Sequence, residues 1–287
     1  MKFGVHTFLW TKTFNLSNTA ILPQIKEQGF DGVEIARYQF DDFPAAKIGE
    51  QLRKNGLDCT LCCGLTASLS LIDDDLGVRQ QTISFIKQAI EMAKELGATT
   101  LSGPLVAPIG YFCDRRRTAQ EWHFAIEGLQ LLGETLVQDG ITLAVEPLNR
   151  YQTYFLNTID DGVKLCQAVN HPNIGLLVDV FHANIEEKNI AEAIISAKEY
   201  VKHVHVCEND RGIPGTGHID WDSIFAALHK IEYDRWIVIE SFNFKDPELA
   251  ASTRTWRDLA HTPDAIAFEG LAFLKQSYLK PKDDLKA

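Results

Sequence analysis

Four ionisable residues end four consecutive apolar segments in the second half of the chain. They are Glu146 in "AVEP", Asp179 in "LLVDV", His205 in "HVHV" and Glu240 in "IVIES". A carboxylate that follows several apolar residues of a buried strand is costly unless it is paired or bound to a metal. One such residue would suit a structural ion pair. Four at corresponding positions favour a set of divalent-cation ligands.

Three carboxylates and one imidazole suit Mn²⁺, Co²⁺ or Mg²⁺ better than they suit a thiolate-selecting structural zinc site. We predict Mn²⁺, with Co²⁺ or Mg²⁺ as the alternatives. Because three negative ligands outweigh one divalent ion, the site favours a neutral, chelating substrate over a phosphorylated one. The hydroxyl and ketone oxygens of a sugar meet that requirement.

Two further residues near these segment ends have side chains suited to binding a substrate. His182, in "DVFH", stands just beyond the second segment, where it is expected to hydrogen-bond a substrate oxygen. The alternative is a histidine that belongs to a helix start. Arg211 follows the third segment, and its planar fork suits a hydroxyl or carbonyl oxygen. A surface salt bridge to Asp210 or Glu208 is the alternative for Arg211.

Other polar residues of the predicted strands have supporting roles. In "VKHVHV" the alternation of a strand puts His203 and His205 on one face, and we interpret His203 as a core histidine. Glu34 in "GVEIA" is also a strand-end carboxylate, and we assign it to structural support of the site. His6, Phe8 and Trp10 in "VHTFLW" are expected to line a sugar pocket, although an ordinary apolar mouth explains Phe8 and Trp10 equally well.

The elements that position these residues alternate along the chain. Amphipathic, helix-like stretches such as "VRQQTISFIKQAIEMAKELG", with a C-cap glycine at Gly97, separate apolar runs of strand length. Eight runs read as strands: "FGVHTFL", "GVEIA", "CTLCCGL", "TTLSGPL", "ITLAVEP", "NIGLLVDV", "VKHVHV" and "WIVIES". Continuous apolar strands joined by crossover helices indicate a parallel sheet that is covered on both faces.

The predicted fold is therefore α/β, a (β/α)8 TIM barrel. Residues 1–287 are expected to form a single barrel domain with a C-terminal helical extension. A doubly wound sheet is the alternative. Polar residues at the strand ends favour the barrel, because a barrel builds its active site from the carboxyl ends of its strands.

Composition limits the class of protein. The formal net charge of -11 argues against a nucleic-acid partner, because such binding relies on clustered basic residues. The one dense basic run, Arg115 to Arg117, is expected to be a solvated helix start. No segment has the pattern of a secretory signal, and no apolar run approaches the ~18 residues of a membrane span, so we expect a cytoplasmic protein without a membrane partner. Cys59 and Cys62 form a CxxC, which we interpret as small buried residues rather than a redox pair or half a zinc site.

The chain resembles the ketose 3-epimerase family, the D-tagatose, D-allulose (psicose) and L-ribulose 3-epimerases among the xylose-isomerase-like barrels. The resemblance extends over nearly the whole chain. Its most specific motifs are "EPLNRY", "VDVFHANIEE", "HVHVCENDRGIPGTGHIDWDSIF" and "IVIESF", and "TRTWRDL" is similar to the family's C-terminal segment.

The resemblance implies roles for particular residues. Its metal ligands would be Glu146, Asp179, His205 and Glu240, and its substrate contacts would include His182 and Arg211. The chain departs from the family at Gln152, where many members carry a glutamate, and at His6, where several carry an aromatic residue. Both are expected at the substrate, so they bear on which sugar is preferred. The family also implies a homodimer or homotetramer.

The implied reaction is metal-dependent epimerisation of a free ketose at carbon 3 through an enediolate, with Glu146 and Glu240 as the two acid/base groups. The same barrel chemistry is shared by aldose-ketose and hydroxypyruvate-type isomerases, which are the first alternative. An abasic-site endonuclease would need a histidine-rich multinuclear zinc site and a basic face. A non-catalytic sugar-binding protein would lack the metal.

Overall fold

Eight parallel strands close into a barrel in the computed structural model, which describes residues 1–279. The strands follow the order of the chain, and β1 pairs with β8 to close the barrel, for example at Val5 and Ile239. The predicted (β/α)8 barrel is confirmed and the doubly wound sheet is excluded. The strands are β1 (Lys2–His6), β2 (Gly32–Ala36), β3 (Asp58–Cys62), β4 (Thr100–Gly103), β5 (Thr142–Val145), β6 (Ile174–Asp179), β7 (Val201–Val206) and β8 (Trp236–Ile239).

Helices surround the barrel. They are α1 (Leu22–Glu27), α2 (Ala45–Lys54), α3 (Leu76–Leu96), α4 (Ala119–Gln130), α5 (Gly133–Asp139), α6 (Ile159–Val169), α7 (Val180–Glu186), α8 (Ile190–Ser196), α9 (Trp221–Lys230), α10 (Pro247–Thr253) and α11 (Pro263–Tyr278). Two 3₁₀ segments, Thr7–Leu9 and Leu16–Ile21, precede α1. As predicted, α3 ends at Gly97, whose φ of 84° is left-handed. Within residues 1–279, no helix has the length and apolarity needed to cross a membrane.

All eight predicted strands are confirmed, and β2 and β7 have the predicted bounds. The strands read as continuous apolar runs because the helices cover their outer side, where side chains such as Ile35, Leu61 and Leu143 are fully buried. The predicted β1 is too long: the strand ends at His6, and the chain then turns into the first 3₁₀ segment.

Gly103 ends β4 and lies beside Glu146, which directly follows β5. Its φ of 124° is unfavourable for other residues, and a Cβ there would lie 2.1 Å from the carbonyl oxygen of Cys63. The Gly103 carbonyl accepts the Glu146 N–H at 3.0 Å. Glycine therefore allows the backbone to lie close to Cys63 on one side, while the Gly103 carbonyl binds the backbone of Glu146 on the other.

After β8, α10 and α11 complete the described chain, and α11 packs on β8 and α9. The predicted single domain with a C-terminal helical extension also includes residues 280–287, which lie outside the described residues. That prediction of domain organisation stays a prediction.

The basic run Arg115 to Arg117 directly precedes the start of α4, and Arg115 and Arg116 are exposed, as expected. Arg115 binds the buried Glu121 through both of its terminal nitrogens at 2.9 Å, and Arg117 binds Asp161 and the carbonyl oxygen of Phe155. Arg115 and Arg117 are therefore also structural partners of carboxylates, which the sequence pattern did not indicate. The CxxC cysteines are buried and free, in agreement with their interpretation as small buried residues.

Candidate active site

The four predicted cation ligands converge at the carboxyl end of the barrel. Asp179 ends β6 and His205 lies within β7, whereas Glu146 and Glu240 directly follow β5 and β8. Each residue offers one ligand atom, and these four atoms lie within 4.8 Å of one another. Neighbouring strands of a closed barrel end side by side, so consecutive strand-end residues meet around one point.

A cavity of about 590 Å³ opens above this point. Five of the predicted polar site residues border it: Glu146, Glu240, His182, Arg211 and Gln152. Asp179 and His205 lie deeper, below the two glutamates, and both are almost fully buried. The two glutamates are therefore the members of the four-residue set that a bound molecule would touch.

Crowding of carboxylates shifts the pKa values at this point. Burial, together with Glu240 and Asp179, raises the pKa of Glu146 well above its usual range. Burial also raises the pKa of Asp179 to about 6, although Arg211 opposes this shift. Burial disfavours charge on Glu240 as well, but Arg211 and His205 hold its pKa well below its usual range. A divalent cation among these carboxylates would supply the missing positive charge.

His205 is oriented for metal binding. Its Nε2 contacts Glu34, while its Nδ1 lies 3.3 Å from Glu240 Oε2 and has no hydrogen-bond partner. Metal-bound histidines usually donate their second ring nitrogen to a carboxylate, which fixes the tautomer. The unpartnered Nδ1 and the three carboxylates fit a divalent cation with oxygen and nitrogen ligands.

Glu34 supports this arrangement from inside the barrel, as the sequence suggested. It is fully buried, and its Oε2 accepts hydrogen bonds from Thr60 at 2.8 Å and Ser102 at 3.0 Å. His203 Nε2 also lies 2.8 Å from Glu34 Oε2. The two histidines of β7 thus share one carboxylate, and His203 is a core histidine as predicted.

His182 lies in α7 and presents a defined nitrogen to the cavity. Its Nδ1 accepts the backbone N–H of Asn149 at 3.2 Å, so the neutral ring carries its proton on Nε2. Nε2 lies 3.5 Å from Glu146 Oε1. Burial, aided by Arg211, lowers the pKa of His182 well below its usual value. His182 is therefore a neutral donor that faces the cavity.

Arg211 turns away from the acidic partners considered for a surface salt bridge. Its Nη1 lies 2.8 Å from both Asp179 Oδ2 and Glu240 Oε2. Its guanidinium packs 4.2 Å from the ring centre of Phe181. Asp210 instead binds Arg257. The sequence could not identify these partners, because they come from other strands.

The structure corrects the expected lining of the cavity from the first strand. Phe8 borders the cavity, but His6 is fully buried below it, and its Nε2 lies 3.8 Å from Glu240 Oε1. Trp10 turns outward and donates its indole N–H to Asp264 at 2.6 Å. The early end of β1 explains the difference, because the 3₁₀ segment breaks the alternation that would have aligned the three side chains.

Some cavity residues were not identified from the sequence. Tyr38 and Phe242 form an aromatic wall with Phe8, and the rings of Phe8 and Tyr38 stack with centres 5.9 Å apart. Cys62, at the end of β3, also borders the cavity. Asn149 orients His182 from below. The sequence did offer one indication for Asn149, because it lies only three residues after the strand-end residue Glu146.

Known proteins resemble the chain over most of its length. The sequence model of a family described as xylose isomerase-like TIM barrel matches residues 22–277. A probable ketose 3-epimerase of Synechocystis sp. is 40% identical over 278 residues, and the match covers 97% of both chains.

Two crystal structures have nearly the same fold. One is the D-allulose 3-epimerase of Methylomonas sp. in complex with D-allulose, with a TM-score of 0.91, 29% identity and coverage of 97% of each chain. The other is the D-psicose 3-epimerase of Clostridium cellulolyticum H10 with D-tagatose, with a TM-score of 0.90 and 26% identity. That match covers 97% of this chain and 99% of the other.

Proposed function

The chain belongs to the xylose isomerase-like TIM barrel family and, within it, to the ketose 3-epimerases, and we propose that it interconverts free ketoses at carbon 3. The expected pairs are D-tagatose with D-sorbose, D-fructose with D-allulose, and L-ribulose with L-xylulose. One observation carries the proposal: two glutamates of a four-residue ligand set border a cavity large enough for a sugar. Relatives whose crystal structures contain ketoses support it.

Glu146, Asp179, His205 and Glu240 would hold a divalent cation, with Mn²⁺ preferred and Co²⁺ or Mg²⁺ as alternatives. When bound, such an ion supplies Lewis acidity that polarises the ketose carbonyl and makes the proton at carbon 3 more acidic. Glu34 fixes the ring of His205 so that Nδ1 faces the ligand set. The protein thereby orients its ligands before a cation arrives.

Glu146 and Glu240 would move the proton at carbon 3. Both border the cavity, and they come from β5 and β8, on opposite sides of the two deeper ligands. One glutamate accepts the proton and leaves an enediolate, and the other, protonated beforehand, donates a proton to the opposite face. The roles exchange in the reverse direction, so a proton must pass between the two before the next identical turnover.

The remaining cavity residues would bind and orient the sugar. Arg211 and the neutral Nε2–H of His182 both border the cavity, and each would donate to oxygens that a ketose places near the glutamates. The aromatic wall of Phe8, Tyr38 and Phe242 would pack against the apolar face of the sugar. Gln152 adds a neutral amide, which agrees with an uncharged substrate.

We expect no nucleic-acid partner. A net charge of -11 disfavours nucleic acid and with it the abasic-site endonuclease alternative. The homodimer or homotetramer and the cytoplasmic location stay predictions.

The test compares metal-stripped protein with Mn²⁺-reconstituted protein. Each is incubated with D-fructose, D-tagatose or L-ribulose, and the products are separated by sugar chromatography. Carbon 3 epimers that form only with Mn²⁺ are expected. Aldose products would favour the aldose-ketose isomerase, and an absence of turnover with all three sugars would contradict the proposal.

A further inference from the structure

A second group of metal-ligating side chains surrounds the other side of Glu240. His6, Cys62 and Glu240 each offer one ligand atom, and these atoms lie within 4.8 Å of one another. We propose that these three residues form a second site, which takes a thiophilic divalent cation such as Zn²⁺ or Cd²⁺, and that a cation bound there inhibits the enzyme.

Glu240 presents one oxygen to each site. Its Oε2 lies 3.3 Å from His205 Nδ1 and 2.8 Å from Arg211 Nη1, on the side of the four-residue ligand set. Its Oε1 lies 3.8 Å from His6 Nε2, on the opposite side. A single carboxylate can thus contribute to both sites without turning.

His6 supplies an unused nitrogen inside the protein. The residue is fully buried, and its Nε2 has no hydrogen-bond partner. Its Nδ1 accepts the N–H of Phe8 at 3.3 Å, so the free ring carries its proton on Nε2. Cation binding at Nε2 moves the ring proton to Nδ1 and removes this long contact.

Cys62 gives the second site its selectivity. Burial, together with the carboxylates of Glu34 and Glu240, raises the pKa of its thiol, which therefore stays protonated without a cation. A bound cation stabilises the thiolate, and the thiol proton passes to solvent through the cavity that Cys62 borders. A thiolate ligand selects Zn²⁺ or Cd²⁺ over Mn²⁺ or Mg²⁺, so the two sites prefer different ions.

The spacing of His6 and Glu240 is close to that in a tetrahedral site, and the Cys62 thiol lies within 4.8 Å of both ligand atoms. Bonds of about 2.0–2.3 Å place neighbouring ligand atoms roughly 3.4–3.6 Å apart. The 3.8 Å between His6 Nε2 and Glu240 Oε1 therefore needs only a small side-chain adjustment. Cys62 also forms a possible ligand group with Glu34 and His205. Those two residues contact each other, so their ligand atoms are already occupied. The cavity side leaves room for water as a fourth ligand.

Inhibition follows from the position of Oε1, and this part rests on the proposed function. Glu240 would use the oxygen not bound to the activating cation to exchange a proton with carbon 3. A second cation on Oε1 removes that oxygen from the reaction. Mn²⁺ in excess would not restore activity, because it does not compete well for a thiolate.

Cobalt spectroscopy tests binding without reference to activity. Co²⁺ is titrated into the metal-free protein in a Cys113→Ser background, because Cys113 is a partly exposed thiol. Thiolate coordination gives an intense near-ultraviolet charge-transfer band, which oxygen and nitrogen ligands do not give. We expect this band after the four-residue site has filled. Cys62→Ser should abolish it, and His6→Phe should weaken Co²⁺ binding at the second site at least tenfold.

Cys63→Ser is the matched control, since Cys63 is the adjacent buried thiol outside the group. It should keep the band. Any of three results would overturn the proposed site. They are the absence of the band in the Cys113→Ser protein, a band that persists in Cys62→Ser, and an unchanged Co²⁺ affinity in His6→Phe. Zn²⁺ should inhibit the Mn²⁺-loaded enzyme at least tenfold, and binding without inhibition would overturn the inhibitory role. If no sugar is turned over, the proposed function fails while the cobalt band still decides the site.

Discussion

Glu34 and His205 form a contact inside the barrel that joins its core to its mouth. Glu34 lies on β2 and contacts Nε2 of His205 on β7, although the two strands are not neighbours in the barrel. The other nitrogen of the same ring faces Glu240. The buried carboxylate therefore sets which nitrogen of His205 faces Glu240.

Replacement of Glu34 by glutamine should weaken cation binding about 10- to 100-fold, as is typical when a carboxylate behind a metal-bound histidine is lost. The glutamine has nearly the same shape, so the barrel should remain folded. Mn²⁺ affinity is measured by calorimetry and the fold by circular dichroism. Ser102→Ala, which removes one hydrogen bond to Glu34 but keeps its charge, serves as the control and should change the affinity less. Equal affinity of wild type and Glu34→Gln would contradict this role.

Glutamine at position 146 or 240 should abolish epimerisation, with a loss of at least ~10³-fold, because each carboxylate would serve one face of carbon 3. Both variants should keep the circular dichroism spectrum of the wild type. Glu95→Gln, at an exposed position of α3, should leave turnover unchanged. Turnover rates are measured at saturating Mn²⁺, so that weaker metal binding does not explain the loss. Retained epimerase activity in both single variants would rule out the two-glutamate assignment.

Gln152 should influence which ketose is preferred. It borders the cavity, and the family resemblance of the sequence implies a glutamate at this position in many members. Gln152→Glu should change the order of kcat/KM among D-fructose, D-tagatose and L-ribulose while leaving Mn²⁺ affinity within a factor of about 3, because Gln152 lies outside the four-residue ligand set. Gln39→Glu adds the same charge at another cavity residue and is the control. An unchanged order, or the same change in the control, would argue against this role.

Strand-end residues could be predicted from the sequence because their position depends on local pattern. The segments "GVEIA" and "VKHVHV" are short runs rich in valine and isoleucine, and both match their strands residue for residue. Once the barrel closes, Glu146 and Glu240 must meet near the deeper ligands. The order of the strands along the chain is therefore enough to predict that these strand-end residues lie together.

Contacts between non-consecutive strands could not be predicted. Cys62 reaches Glu240 from β3, and its proximity depends on how strands are staggered around the barrel, which no local pattern records. Trp10 does not border the cavity, because a 3₁₀ segment interrupts the alternation after His6. Arg211 borders the cavity, as the sequence predicts. Its ion pairs with Asp179 and Glu240 could not be predicted, because they depend on the conformation of the loop after β7.

Glu121 should make the stability of the protein depend on acid pH. Burial disfavours its charge, but Arg115, the N–H of Thr118 and the hydroxyl of Tyr154 lower its pKa from 4.5 to about 2. Because the folded pKa is depressed, the stabilisation is complete above about pH 4.5 and is lost as the pH falls toward 2. The difference in unfolding free energy between wild type and Glu121→Gln should therefore shrink over this range in urea titrations.

A control on the same helix separates this effect from general acid denaturation. Glu127→Gln changes an exposed carboxylate of α4. Within residues 1–279, its one ion-pair contact is with the exposed ring of His123. Its difference from wild type should stay small at every pH. A difference for Glu121→Gln that is constant from pH 5 to pH 2 would show that the carboxylate is not held ionised by its partners.

The position of solvent deuterium tests the central claim of metal-dependent proton exchange at carbon 3. D-Fructose is incubated in D₂O with the Mn²⁺-reconstituted or the metal-stripped protein, and the sugars are followed by NMR. Metal-dependent formation of D-allulose that carries deuterium at carbon 3 is the predicted result, with none at carbon 1. Deuterium at carbon 1 together with an aldose product, or no exchange with the metal present, would contradict the account.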